Sequence, residues 1–170
     1  NNQATADARG RYLLLLNPDT EVQGGAIAAL CHYLDRSPQV GMVGPRLLYP
    51  DGSFQQSAFR FPSLWQAFFD FFPLHHRLID SSLNGRYPRS RYASGQPFVV
   101  DHPLGACMMV RREVVEQVGT LDPGYFIYCE EIDWAMRIKR AGWQICCVPA
   151  AAVVHHAGQS TRQVSARMFV

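Results

Sequence analysis

The hydrophobic positions of this chain fall into short continuous runs separated by segments with helical spacing, a pattern that predicts strands and helices in alternation. The runs that predict strands are residues 11–16, 40–44, 98–101, 104–110, 143–148 and 151–155. The first run contains four consecutive leucines between Gly10 and the turn residues Asn17-Pro18. A continuous apolar run of this length predicts a strand buried on both faces, which is typical of a parallel sheet.

Three segments predict helices, namely residues 24–36, 111–118 and 130–140. The apolar positions predicted to face inward are Ile27, Leu30, Cys31 and Leu34 in the first helix and Ile132, Ala135 and Met136 in the third. Between residues 45 and 57, Asp51-Gly52 predicts the turn of a hairpin. Residues 1–9 look like the last turns of a helix that Gly10 stops, so we expect the chain to begin inside a larger fold.

The third helix begins at an acidic cluster, Glu130-Glu131-Ile132-Asp133. Carboxylates in the first turn complement the helix dipole, and Asp133 is spaced to pair with Arg137 at i, i+4. Adjacent acids repel each other, so this purely structural interpretation explains Glu130 and Glu131 less well. The aromatic side chains just before them, Tyr125, Phe126 and Tyr128, could exclude water and raise one carboxyl pKa, as a general base requires.

Composition and charge exclude several classes of function. The chain has 170 residues, enough for one domain, and is 48% hydrophobic and 18% charged, as ordinary globular proteins are. A formal net charge of +2 predicts no extended nucleic-acid surface. The 5 cysteines form no C-x-x-C pair and indicate reduced thiols in a cytosolic protein. No apolar run approaches the ~20 residues that span a bilayer, and no signal peptide is evident.

An aromatic segment and a basic segment lie in the middle of the chain. Residues 58–74 hold seven aromatic side chains and almost no charge, which predicts either core packing or a patch that meets a membrane or a lipid-linked substrate. Residues 77–97 are rich in Ser, Gly and Arg and predict a mobile loop. Its arginines, Arg86, Arg89 and Arg91, either hold phosphates or are simply solvated.

Polar residues follow two of the predicted strands. Asn17-Pro18-Asp19 comes directly after the leucine run, at a position where open α/β sheets bind ligands, although the same residues are equally typical of a turn. His155 ends the last strand, next to residues 156–160, His-Ala-Gly-Gln-Ser. A histidine there predicts a metal ligand or an acid/base group, with a structural role as the alternative.

These motifs, in this order, resemble the family 2 glycosyltransferases of the GT-A fold, particularly their rhamnosyltransferase-like branch. The resemblance rests on Asn17-Pro18-Asp19, on residues 105–113, on residues 121–137 around Glu130-Glu131-Ile132-Asp133, and on the segment from His155. It covers residues 1 to about 165. It implies an α/β fold with a mixed, mainly parallel sheet and flanking helices.

The resemblance also implies roles for individual residues. Asp19 matches the carboxylate that holds Mg²⁺ or Mn²⁺ against the donor diphosphate, and Asn17 replaces a first acid. His155 matches a further contact to metal or diphosphate, and Ser160 a contact to the diphosphate. Glu131 occupies the position of the catalytic base, where the family usually has Asp, and Glu130 or Asp133 could share that role. Residues implied for the acceptor and sugar pocket are Gly105, Ala106, Cys107 and Trp134.

The substrates implied are a nucleotide-sugar donor, with dTDP-L-rhamnose as the first choice, and a glycan or lipid-linked saccharide acceptor. The place of action would be the inner face of the plasma membrane, with peripheral contact and no nucleic acid. We expect residues 1–170 to form one partial GT-A domain that lacks its nucleotide-binding half, with residues 161–170 opening a C-terminal extension. Two rival hypotheses are a non-catalytic relic that binds glycan or protein and a metal-dependent phospho- or nucleotidyltransferase.

Overall fold

The structure is a computed structural model that describes residues 1–64, 84–125 and 129–156. The helices in these ranges are α1 (Asn2–Asp7), α2 (Ala26–Arg36), α3 (Arg89–Ala93), α4 (Arg112–Val118) and α5 (Glu130–Arg140). The strands are β1 (Tyr12–Leu16), β2 (Thr20–Val22), β3 (Val40–Leu48), β4 (Phe54–Gln55), β5 (Ala58–Phe59), β6 (Phe98–Val99), β7 (His102–Pro103), β8 (Cys107–Arg111) and β9 (Gln144–His155). Helices α1, α2, α4 and α5, the leucine strand and the hairpin at Asp51-Gly52 were predicted from the sequence, whereas α3 was not.

The main sheet has the order β1-β8-β3-β9-β2, with β4 paired to β3 and β6 paired to β9. Strands β1 and β3 are both antiparallel to β8, and β3 is parallel to β9, so β1, β3 and β9 run in one direction. Their last residues, Leu16, Leu48 and His155, therefore lie at the same edge of the sheet. The sheet is mixed, as predicted, but direct parallel pairing in the described ranges is confined to β3 and β9.

Strand β1 differs from the prediction of a strand buried on both faces. Within the described residues it pairs with β8 alone, so it is an outer strand of the sheet. Only Leu13 of this strand is fully buried, and Leu16 is exposed. A run of leucines shows that the strand is apolar, but the burial of each leucine depends on which other elements pack against it.

Strand β9 is a single strand where the sequence predicts two. Its pairing with β3 shifts register in the middle, because Val148 pairs with Pro45 while Ala152 pairs with Arg46. Pro149 lies in the skipped stretch and has no N–H to donate to the ladder, which accounts for an irregularity there. The strand resumes after it and carries His155 to the edge of the sheet.

Helices cover both faces of the sheet. Helix α2 buries Ala26, Leu30 and Leu34 on one face, and α5 buries Trp134, Ala135 and Ile138 on the other. Two details of the predicted faces were wrong: Ile27 is 43% exposed, and Ile132 and Met136 are only partly buried. Helical spacing identifies an apolar side, but the neighbouring strands decide which residues on it are covered.

The loop prediction for residues 77–97 missed a short helix. Residues 84–97 contain α3, and its Tyr92 is buried against Phe54 and Phe98 at centroid distances of 4.8 and 5.1 Å. The mobility predicted for residues 77–97 stays a prediction. Of the aromatic segment, residues 65–74 lie outside the described ranges, while Phe59 and Phe61 stack on the buried ring of His102. No helix in the described part of the chain is long and apolar enough to cross a membrane.

Candidate active site

Asp19 and His155 come together at the carboxyl edge of the sheet. Strand β2 pairs with the end of β9, so that Thr20 lies opposite His155. This register places His155 Nε2 3.6 Å from Asp19 Oδ1, with the two side chains only 11% and 12% exposed. Asp19 Oδ1 is buried and has no hydrogen-bond partner. A buried carboxylate oxygen is rarely left unsatisfied without a functional reason.

Several hydrogen bonds hold this pair in place. The backbone N–H of His156 donates to the Asp19 carbonyl at 2.9 Å, and the Thr20 hydroxyl donates to the Asn17 carbonyl at 2.7 Å. His155 Nδ1 lies 3.2 Å from Gln55 Oε1. An Nδ1–H that donates to this amide oxygen leaves the Nε2 lone pair directed toward Asp19.

Burial lowers the pKa of His155, and the charge of Asp19 opposes that shift without reversing it. Imidazole is therefore favoured in its neutral form, which is the form that ligates metals. The side chain is held in a suitable tautomer and orientation because Gln55 contacts the other ring nitrogen.

The donor set fits a divalent cation shared with phosphate. A carboxylate oxygen without a partner and a neutral imidazole nitrogen converge across 3.6 Å. Within the described ranges no group of three or more His, Cys, Asp or Glu side chains surrounds a metal position. Mg²⁺ and Mn²⁺ commonly bind through one or two protein ligands, with phosphate oxygens and water completing the shell. Asp19 and His155 are thus residues that could hold such a cation.

Asn17 takes part in this region through its backbone, and Ser160 is not among the described residues. The Asn17 backbone N–H donates to the Ala106 carbonyl at 2.9 Å, and its side chain is exposed. This hydrogen bond ties the turn that carries Asp19 to the loop before β8. Ser160 lies outside the described residues, so its contact with a diphosphate stays a prediction.

Glu131 contacts that same loop at Gly105. A Cβ on Gly105 would meet Glu131 Cδ at 3.6 Å and Oε1 at 3.8 Å, so the carboxylate packs against the glycine backbone. Gly105 is followed by Ala106, which accepts the hydrogen bond from Asn17. The Leu104–Ala106 loop therefore connects the Asp19 turn to the start of helix α5.

Burial raises the pKa of Glu131, and the neighbouring charge of Glu130 raises it further, while a backbone hydrogen bond opposes the shift. A carboxylate that is costly to keep charged accepts a proton readily, which suits a general base. Glu130 has different surroundings although it is adjacent in sequence. Its Oε2 is buried without a hydrogen-bond partner, and the residue lines a cavity of ≈ 360 Å³ with Asp122 and Tyr125.

Asp133 has the structural role that its spacing also predicts. It forms an ion pair with Arg137 at 2.8 Å. The Arg137 guanidinium also donates to the carbonyls of Val118 and Thr120 at 2.8 and 2.9 Å. Asp133 thus helps join α5 to the segment that follows α4. Phe126 and Tyr128 lie outside the described residues, so the aromatic wall before the acids stays a prediction.

The structure corrects most of the expected acceptor pocket. Ala106, Cys107 and Trp134 are each 2% exposed, so their side chains offer almost no surface to an acceptor. The Trp134 indole N–H donates to the Gly119 carbonyl at 2.8 Å inside the core. Of the four predicted residues, only Gly105 is partly exposed, beside the Glu131 carboxylate. Sequence reasoning also missed Gln55, because a lone glutamine in a two-residue strand has no distinguishing pattern.

Comparison with known proteins agrees with these motifs. The family model described as "Glycosyltransferase like family 2" matches residues 1–169. The N-acetylglucosaminyl-diphospho-decaprenol L-rhamnosyltransferase of Mycobacterium tuberculosis is 34% identical over 158 residues, which are 88% of this chain and 48% of that protein. Rhamnosyltransferase WbbL of Escherichia coli is 38% identical over 71 residues, 42% of this chain and 27% of that protein. The chain thus spans about half the length, or less, of these relatives.

Solved structures confirm the fold. A crystal structure of GalNAc-T7 with UDP, GalNAc and Mn²⁺ superposes with a TM-score of 0.64 at 18% identity, covering 91% of this chain and 29% of that one. A crystal structure of S. aureus TarS 1-349 gives a TM-score of 0.53 at 12% identity, covering 96% of this chain and 41% of that one. Both likenesses support the GT-A fold predicted from the motifs.

Proposed function

Since the chain belongs to glycosyltransferase-like family 2, we propose that it forms the catalytic part of a metal-dependent, inverting glycosyltransferase. The proposal concerns the whole protein, because the chain covers 48% of a rhamnosyltransferase relative. The donor is a nucleotide-diphosphate sugar and the acceptor a glycan or lipid-linked saccharide. The product contributes to a cell-surface polysaccharide.

One observation carries the proposal: the Leu104–Ala106 loop contacts both the turn that carries Asp19 and the partly buried Glu131. Asn17, which precedes Asp19, donates to Ala106, and Gly105 packs against Glu131. Sugar transfer needs these two functions side by side. The leaving diphosphate requires positive charge, while the attacking hydroxyl requires a base.

Glu131 accepts the proton of an acceptor hydroxyl in this mechanism. The hydroxyl oxygen forms a bond to the anomeric carbon while the bond from that carbon to the donor diphosphate breaks. The electron pair of the broken bond leaves with the nucleoside diphosphate. A single in-line displacement of this kind inverts the anomeric centre. When Mg²⁺ or Mn²⁺ is bound by Asp19 and His155, its charge neutralises the departing diphosphate.

The names of relatives suggest the substrates. Two relatives are named rhamnosyltransferases, which supports L-rhamnose from dTDP-L-rhamnose as the first donor to test. The acceptor in the name of the mycobacterial relative is N-acetylglucosaminyl-diphospho-decaprenol, which supports a lipid-linked acceptor. The Mn²⁺ and UDP of the GalNAc-T7 structure support a metal-bound diphosphate. Peripheral contact with the inner face of the plasma membrane stays a prediction.

The test is an assay of the full-length protein with Mn²⁺, dTDP-L-rhamnose and a lipid-linked N-acetylglucosamine acceptor. We expect release of nucleoside diphosphate together with a rhamnosylated product. Release of monophosphate or pyrophosphate would instead identify a phospho- or nucleotidyltransferase. No turnover with a panel of dTDP-, UDP- and GDP-sugars would favour the non-catalytic relic.

A further inference from the structure

A second cavity, of ≈ 350 Å³, lies beside strand β4, and we call it the arginine cavity. It is lined by Arg86 and Arg89, by the rings of Phe54 and Tyr87, and by Gln55. None of the described residues that line it is acidic. The charged side chains among these residues are therefore all cations, which favours an anion as the ligand.

The way Arg89 is held leaves its donors available. Its guanidinium lies over the Phe54 ring, 5.2 Å from the centroid, and no described residue forms an ion pair with it. Arg60 lies in the same way over the Tyr87 ring, at 5.8 Å. A guanidinium stacked on an aromatic face is positioned by the ring, yet its N–H groups stay directed outward in the plane. Phosphate oxygens are the anions that such a fork binds best.

A cavity at the other end of the sheet provides a contrast. It has ≈ 460 Å³ and is also lined by arginines, two of which have carboxylate partners. Arg11 pairs with Asp35 at 2.9 Å, and Arg111 lies 3.6 Å from Glu113. Arg89 has no such carboxylate partner among the described residues, so its donors stay available to an anion.

Gln55 connects the arginine cavity to the active site. It lines the cavity, and its Oε1 contacts Nδ1 of His155, whereas Asp19 lies near Nε2 of the same ring. The two ring nitrogens point away from each other. An anion in the arginine cavity is therefore separate from the diphosphate expected at Asp19. The contact between Gln55 and His155 links the two positions.

We propose that the arginine cavity binds the diphosphate of a lipid-linked acceptor, with Arg89 as the main contact. The proposal rests on the proposed function, which requires a saccharide acceptor beside the donor site. A diphosphate that joins the saccharide to its lipid matches the arginines, and the rings of Phe54 and Tyr87 give apolar surface for the adjoining groups. Acceptor recognition then depends on the linking diphosphate as well as on the sugar.

Binding provides the first test, with inorganic pyrophosphate as the probe and the full-length protein in EDTA. Chelation removes the cation needed for diphosphate binding at Asp19 and His155. We expect Arg89→Gln to weaken pyrophosphate binding about tenfold or more, since a charge-assisted contact is lost. Arg36→Gln is the matched control, because Arg36 is an exposed arginine on α2, and it should bind as the wild type does. Equal binding by all three proteins would overturn the proposal.

Kinetics provide the second test, with two acceptors that carry the same saccharide. One is linked through a prenyl diphosphate and the other is an alkyl glycoside without phosphate. We expect Arg89→Gln to raise KM about tenfold for the diphosphate acceptor only, with donor KM unchanged, and Arg89→Lys to recover part of the loss. An equal rise for both acceptors, or a rise in donor KM, would overturn the assignment.

The two proposals fail in distinguishable ways. If glycosyl transfer is wrong, no acceptor gives a product, yet pyrophosphate binding still depends on Arg89. If only the assignment of the arginine cavity is wrong, transfer proceeds and Arg89→Gln behaves like Arg36→Gln in both tests.

Discussion

Asp19 Oδ1 lies 3.6 Å from His155 Nε2, and this carboxylate oxygen is buried without a hydrogen-bond partner. The separation exceeds that of a good hydrogen bond, and it leaves room for both atoms to contact one cation. Gln55 of strand β4 orients His155. Asp19, Gln55 and His155 are thus far apart in sequence but close together in the fold.

Removing either member of this pair should weaken cation binding. We expect Asp19→Asn and His155→Ala to lower Mn²⁺ affinity by roughly 100-fold, and Gln55→Leu by about 10-fold because it frees the imidazole to rotate. Titration calorimetry with Mn²⁺ in the presence of a nucleoside diphosphate measures this. The control is His156→Ala, since His156 contacts the exposed Glu21. A loss in His156→Ala as large as in His155→Ala would contradict the site.

Replacing two of the acids of helix α5, Glu131 and Asp133, should separate catalysis from structure. We expect Glu131→Gln to reduce kcat by about 10²–10⁴-fold, since it removes a general base. Asp133→Asn should chiefly lower the free energy of unfolding, by about 1 kcal/mol, because it weakens the contact with Arg137. Single-turnover rates and urea unfolding of each variant measure the two effects. Full activity in Glu131→Gln would transfer the role of base to Glu130, whose buried Oε2 has no hydrogen-bond partner.

The pH dependence of the rate should reflect the burial of Glu131. Burial raises its pKa, so the carboxylate form is lost, and the rate falls, at a higher pH than for an exposed glutamate. Glu130→Gln removes the adjacent charge, which lowers the Glu131 pKa and should move this acid limb to lower pH. Rate profiles at saturating Mn²⁺ avoid interference from His155, because a metal-bound imidazole takes up no proton. A limb that stays in place in Glu130→Gln would contradict this explanation.

Trp134 should affect stability rather than substrate binding. We expect Trp134→Ala to lower the free energy of unfolding by about 3–5 kcal/mol and Trp134→Phe by about 1 kcal/mol or more, since the latter loses the hydrogen bond to Gly119. Denaturant unfolding measures both changes. In Trp134→Phe, the KM values for donor and acceptor should stay within about twofold of the wild type. A large rise in acceptor KM with normal stability would show that Trp134 contributes to the acceptor pocket.

Local chemistry made part of the fold predictable. The Asp51-Gly52 turn, the stop at Gly119 and the helix start at Glu130 are set by residues within a few positions of each other. Burial was less predictable, as Ile27 shows, because a helix face becomes interior only where another element covers it.

The sequence by itself determined which side chains have the right chemistry and in what order they occur along the chain. Asp19, Glu131 and His155 were assigned functional roles because the order of their motifs resembles a known family, since each residue taken alone also has a structural interpretation. Only the tertiary structure decided which of them meet, since the register of β2 on β9 brings Asp19 to His155. The β3–β4 hairpin brings Gln55 to His155, and Trp134 is buried in the core. Long-range strand pairing and packing have no local sequence signature, so these contacts are evident only in the folded structure.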